Sequence, residues 1–238
     1  MTLMLFAPRP LSATFLSRLN RFLGIAELDG QRVECFIPNP GRLRELLQPG
    51  ARVYLQKRRG VERKTGYDLI LAEKNGVLVS VDSMAPNRVV WEALGSGLIT
   101  EMGGLSVMRR EPTYGDSRLD FLLDDGSARL LLEVKSCTLV EDGVALFPDA
   151  PTERGARHLK TLESFLGEGR ASVLFLIQRS DAGVFRPNGA TDPRFAGALR
   201  EAVFKGVEVY AYDSAISLGG IKFNRRVPVD LDDDLRLT

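Results

Sequence analysis

Short apolar or alternating runs separated by turn residues fill the amino-terminal part of the chain. They predict β-strands at residues 4–6, 22–28, 32–37, 52–56, 68–71 and 77–81. Asp29-Gly30, between two of these runs, signals a hairpin. Leu43, Leu46 and Leu47 recur at helical spacing until Pro49-Gly50 stops the pattern, so residues 40–47 predict one short helix. The outline is a small OB-like β-barrel with a capping helix.

Beyond residue 82 the pattern changes. Residues 86–95 predict a helix, with Pro86 tolerated in its first turn and Gly95 and Gly97 ending it. Strands are expected at 105–110, 118–123 and 130–135, the last two joined by the turn Asp124-Asp125-Gly126-Ser127. A helix over 152–166 follows, with Asp149 and Thr152 placed to cap it, then the wholly apolar run 173–177, which reads as a strand buried on both faces. Asp192-Pro193 opens another helix, and residues 207–212 form a final strand. This order predicts an α/β domain with a mixed sheet at 83–238, after the barrel at 1–82. No internal repeat is visible.

With 238 residues, 44% of them hydrophobic, the chain can bury one large core or two small ones. No apolar stretch approaches the ~20 residues of a membrane span, and residues 1–20 lack a signal-peptide pattern, so the expectation is a cytoplasmic protein with no membrane partner. Cys35 and Cys137 form no CxxC clamp and are expected to be reduced thiols. His158 is the only histidine, so a metal would have to be held mainly by carboxylates. A net charge of +1 supplies no overall pull toward nucleic acid. Locally, Arg52, Lys57, Arg58, Arg59, Arg63 and Lys64 face one acid, Glu62: either a solvated strand edge or a phosphate-holding segment. Tyr54 and Tyr67 nearby are candidates for stacking on bases, or for the core. Trp91 is expected in the core.

The most informative stretch is Leu130-Leu131-Leu132-Glu133-Val134-Lys135-Ser136. Strand periodicity puts Glu133 and Lys135 on one face, two opposite charges on an otherwise apolar strand, which is costly unless they serve a purpose. Pairing with the preceding strand brings Asp120 within reach of Glu133. Asp120, Glu133 and the Val134 carbonyl can hold a hard cation, Mg²⁺ or Mn²⁺, while Lys135 orients water or offsets charge on a phosphate. Glu92 is placed to complete that shell. The alternative is a structural ion-pair network. On the following helix Arg154, Arg157, His158 and Thr161 share a face that either meets phosphates or is solvated; His158 is expected at the helix surface. There is no GxxxxGK[ST], GxGxxG after a strand, GxSxG or HExxH, which disfavours nucleotide-driven and hydride chemistry.

Six blocks together carry a resemblance: Ile37-Pro38-Asn39-Pro40-Gly41-Arg42-Leu43, Ser117-Arg118-Leu119-Asp120-Phe121-Leu122-Leu123, Glu133-Val134-Lys135-Ser136, Ala145-Leu146-Phe147-Pro148-Asp149-Ala150, Thr152-Glu153-Arg154-Gly155 and Gln178-Arg179-Ser180-Asp181. The chain resembles the sugar fermentation stimulation protein A family. The resemblance implies an OB-like amino-terminal domain, a carboxy-terminal domain similar to PD-(D/E)xK nucleases (a restriction-endonuclease-like α/β domain), DNA as partner and a regulatory link to sugar (maltose) metabolism. The nuclease-like pattern then falls on Glu92, Asp120, Glu133 and Lys135, with Leu119 where the superfamily's proline would stand. Arg42, Lys57, Arg58, Arg59, Arg63, Lys64, Arg154 and Arg157 are the expected nucleic-acid contacts. The expected function is DNA binding with a Mg²⁺-dependent nuclease centre; the alternative is a non-catalytic DNA-binding regulator.

Overall fold

A computed structural model describes residues 3–58 and 65–232. Its first strand, β1 (Leu3–Leu5), does not join the barrel. It pairs antiparallel with residues 220–222 near the other end of the chain, as the outermost strand of the second domain's sheet.

The barrel begins at Leu11. Its strands are β2 (Leu11–Asn20), β3 (Leu23–Leu28), β4 (Gln31–Phe36), β5 (Arg52–Lys57) and β6 (Tyr67–Lys74). They run β2-β3-β4-β6-β5-β2, closed by the parallel pairs Cys35–Tyr67 and Phe36–Asp68, which is the five-stranded plan of an OB-fold. β7 (Val77–Ser80) extends the sheet from β6. Asp29 and Gly30, at φ 52° and 75°, make the left-handed two-residue turn expected between β3 and β4. Residues 40–47 do not form a helix. Leu43 adopts φ +50°, which no helix interior tolerates, and its carbonyl merely closes a single turn with the N–H groups of Leu46 and Leu47. The capping role survives: Leu43, Leu46 and Leu47 plug the barrel core beside Ile37, Val53 and Leu69.

The second domain continues with α1 (Ala85–Gly95), β8 (Ser106–Arg110), the small hairpin β9 (Thr113–Tyr114) and β10 (Ser117–Arg118), β11 (Phe121–Asp124), β12 (Arg129–Cys137), β13 (Leu139–Glu141) and β14 (Val144–Phe147). Then come α2 (Glu153–Phe165), β15 (Arg170–Ile177), β16 (Val184–Pro187), α3 (Pro193–Lys205), β17 (Glu208–Ser217) and β18 (Gly220–Val227). The central sheet has seven strands in the order β1-β18-β17-β15-β12-β11-β8. β12, β15 and β17 are parallel and the flanking pairs antiparallel, so the sheet is mixed. α2 and α3 cover one face and α1 the other, which is why β15 is apolar throughout. Asp192 caps α3 through the Phe195 N–H, and Thr152 caps α2 through the Gly155 N–H. Tyr54, Ile70 and Leu71 of the barrel pack on Phe6, Ile216 and Leu218.

Candidate active site

The expected strand over 118–123 breaks at Leu119–Asp120, and the break makes the site. β11 starts at Phe121, opposite Leu132, so the Val134 N–H lies beyond the end of the ladder. Asp120 Oδ2 accepts that N–H at 2.7 Å. Its Oδ1 accepts from Asn87 Nδ2 of α1 at 2.5 Å. One strand position away, Glu133 and Lys135 project from the opposite face of β12, toward α2. Glu133 Oε1 lies 2.6 Å from Lys135 Nζ and 2.6 Å from His158 Nδ1. Arg154 Nε donates to His158 Nε2 at 3.2 Å, so the ring donates through Nδ1 and accepts through Nε2.

Electrostatics separate the two acids. The Asp120 carboxyl is pushed up to about 7, by burial first and by the Glu133 charge second, against the Val134 and Asn87 hydrogen bonds and the Lys135 charge. Glu133 is only 4% exposed, and burial disfavours its charge. The Lys135 charge and the His158 hydrogen bond nevertheless hold it below the ordinary glutamate value. Among the described residues, the buried Glu133 Oε2 has no hydrogen-bond partner. An orphaned carboxylate oxygen near a second acid held up by burial and by like charge is the kind of donor set that a divalent cation relieves. The fit is limited to two carboxylates: among the described residues no group of three or more His, Cys, Asp or Glu is arranged to hold a metal.

Glu133 and Lys135 share a face and an ion pair, and Asp120 lies at the adjoining strand edge, close enough for both charges to act on its carboxyl. Glu92 instead pairs with Arg88 at 3.3 Å, and it is Asn87, earlier on α1, that reaches Asp120. Neither Asn87 nor His158 is picked out as a site residue by motif spacing. For His158 a signal exists: Gly155, His158, Leu159, Leu162 and Phe165 are the buried stripe of α2, so the histidine is 3% exposed rather than on the surface. Trp91, expected in the core, is 42% exposed with the Arg110 guanidinium 5.0 Å from its ring centroid. Tyr54 is buried, donates to Glu73 and packs at the domain junction, and Tyr67 packs on the barrel core, so burial removes Tyr54 as a stacking platform and engages Tyr67.

Of the expected phosphate contacts, Arg42, Lys57, Arg154 and Arg157 are exposed. Arg58 is tied to Asp68 at 2.5 Å. Arg59, Arg63 and Lys64 lie outside the described residues. Asp149 does not cap α2. Its Oδ2 accepts the backbone N–H groups of Arg42 at 2.9 Å and Leu43 at 3.4 Å, latching the barrel loop to the second domain. A cleft of about 360 Å³ opens there, lined by Arg21, Asn39, Gly41, Ser136, Asp149 and Thr152 among others. Arg21 and Arg44 stand with Arg42 along the adjoining groove.

An OB-type barrel followed by a mixed sheet flanked by helices defines a two-domain protein with an OB-fold and an α/β domain. Two family models match in register with this division, a sugar fermentation stimulation protein N-terminal OB domain over residues 16–81 and a sugar fermentation stimulation protein RE domain over residues 84–220. The chain belongs to the sugar fermentation stimulation protein family. It is 50% identical over 206 residues to the homolog from Moorella thermoacetica, covering 85% of this chain and 88% of that one. It is 43% identical over 226 residues to the homolog from Desulforamulus reducens, covering 94% of each. The structure of Pyrococcus furiosus SfsA in complex with Ca²⁺ superposes with a TM-score of 0.89 at 32% identity, over 97% of this chain and 99% of that one. No helix among the described residues is long and apolar enough to cross a membrane.

Proposed function

We propose that this protein binds DNA and that its second domain carries a divalent-cation-dependent phosphodiesterase centre at Asp120, Glu133 and Lys135. The observation that carries the proposal is the buried Glu133–Lys135 pair one strand position from the Val134 N–H that Asp120 holds at the end of β11, with Glu133 Oε2 buried and unsatisfied. The Pyrococcus relative's complex with Ca²⁺ supports a hard-cation site in this architecture. Asp120, Glu133 and the Val134 carbonyl, which points to the same strand edge as the Val134 N–H, would hold Mg²⁺ or Mn²⁺. A cation bound there would polarise a phosphate oxygen and make a bound water acidic.

The chain's own groups do the rest. Asn87 and the Val134 N–H fix both oxygens of Asp120; His158 and Lys135 fix Glu133. The Lys135 ammonium is positioned to orient a water or offset charge growing on a phosphate. Arg42 and Arg154, on either side of the domain junction, supply contacts to a phosphate backbone that depend on salt and carry no sequence information.

A second reading, a DNA-binding module without chemistry, is favoured by the limited donor set and by Glu133 Oε1 being already committed to two donors. Single- and double-stranded DNA and RNA incubated with Mg²⁺, Mn²⁺ or EDTA separate the two. Cation-dependent cleavage lost in Asp120→Ala and Lys135→Ala supports the enzyme, whereas binding without cleavage leaves the module.

A further inference from the structure

We infer that Trp91 and Arg110 form a stacking site for an unpaired nucleobase, which delivers the adjoining phosphodiester of single-stranded or locally opened DNA to Asp120. The inference rests on the proposal that this protein handles DNA, and it adds which strand state the site accepts and which residues grip it.

Three independent features converge here. Asn87, which donates to Asp120 Oδ1, and Trp91 are four residues apart on α1, so they share a helix face about 6 Å apart along the axis. Trp91 keeps 42% of its surface exposed, an unusual placement for the largest apolar side chain, and Arg110 lies over its ring at 5.0 Å. Arg110 itself is placed by a bulge. Val107 pairs with Leu123 and Arg109 with Leu122, so Met108 is an extra residue in β8. Without it, Arg110 would fall on the face opposite Val107. With it, both share the α1 side with Phe121 and Leu123, and Arg110 reaches Trp91.

The surroundings favour a polyanion. β8 is an open edge of the sheet, and Arg109 and Arg110 are exposed with no carboxylate partner among the described residues. Arg88 and Arg118 stand nearby, Arg88 paired with a half-buried Glu92 and Arg118 in an exposed pair with Glu111 that a phosphate backbone can displace at little cost. A guanidinium beside an exposed indole is the combination that grips single strands: the ring stacks on any base and the cation meets the phosphate. Bases paired inside a duplex offer no free face to it.

Trp91 is the only tryptophan, so intrinsic fluorescence reports on this position alone. The full-length protein is titrated in EDTA with a short oligodeoxythymidylate and with a duplex, following tryptophan emission and, in parallel, the anisotropy of a labelled strand. Single strands are expected to quench emission with the midpoint seen by anisotropy, and duplex to quench far less. Trp91→Ala is expected to weaken single-strand binding about 5- to 150-fold with an unchanged salt slope. Trp91→Phe should recover most of the affinity, and Arg110→Ala should flatten the salt slope by about one. Saturating anisotropy with silent tryptophan emission, or wild-type affinity in Trp91→Ala, overturns the stacking site and leaves the cleavage proposal intact. Absence of binding to any DNA overturns both, whereas quenching without cleavage in Mg²⁺ removes the enzyme alone.

Discussion

His158 Nδ1 sits 2.6 Å from Glu133 Oε1 inside the domain, and both side chains are almost fully buried. The chain's single histidine therefore serves to hold an acid in place. His158→Ala removes one of the two donors that keep Glu133 ionised, and is expected to cost about 1–3 kcal/mol in urea unfolding. It should also move the Glu133 titration upward. Glu133 lies below its ordinary value in the folded state, so it adds stability above that value which is lost as pH falls through the depressed one. The variant should lose part of this acid-side dependence, visible by following the carboxyl carbon with NMR.

Asp120 carries the opposite sign. Its folded-state carboxyl titrates at about 7 against an ordinary 3.8, so the unfolded chain ionises first. Below the ordinary value it exacts no penalty; as pH rises toward 7 the folded state loses stability, and above 7 the loss is constant. Asp120→Asn should therefore gain on the wild type by a few kcal/mol between about pH 4 and 7. Melting curves of both proteins across that range in EDTA check this. A variant whose advantage does not grow with pH would contradict an Asp120 carboxyl raised by burial and by the Glu133 charge.

The latch between the domains has a steric signature. A Cβ on Gly41 would lie 2.6 Å from Asp149 Oδ2 and 2.9 Å from Asn39 Oδ1. Gly41→Ala should destabilise the wild type by about 1–3 kcal/mol, and by clearly less in an Asp149→Ala background, since half of the clash is then gone. A double-mutant cycle in denaturant measures the difference. Additivity of the two changes would mean that the loop does not close on Asp149 in solution.

Arg154, Arg157 and Arg42 are expected to act through charge alone. Each single change to Ala should weaken DNA binding similarly for all sequences and reduce the slope of log affinity against log salt by about one. Equilibrium binding over a salt series reads both quantities. A sequence-dependent loss at any of the three would assign it to base contact instead.

How much of this was legible in the sequence depended on whether local periodicity survived in the fold. Glu133 and Lys135 alternate cleanly along β12, so their shared face is readable, and the Asp124–Ser127 turn fixes the pairing that brings Asp120 near. β2 is hidden because register shifts at Phe15–Ser17 and Arg18–Asn20 break its alternation. The loop at residues 40–47 imitates a helix because Leu43, Leu46 and Leu47 are all needed in one plug, a spacing that a single turn also satisfies. Glu92 has the right residue type on the right helix, but on a side where Arg88 is its partner. Asn87 and Asp149 act across long sequence separations, through contacts that no local pattern encodes.

β1 belongs to the larger sheet although the barrel follows it in the chain, so the polypeptide crosses the domain boundary twice, once on each side of the barrel. The barrel is in effect an insertion held at both ends, like a buckle on a closed strap. Its swing relative to the acids is thereby restricted to what two tethers permit. Excising residues 1–82 as an independent module would strip a strand from the partner it leaves behind and bare the β18 edge to intermolecular pairing.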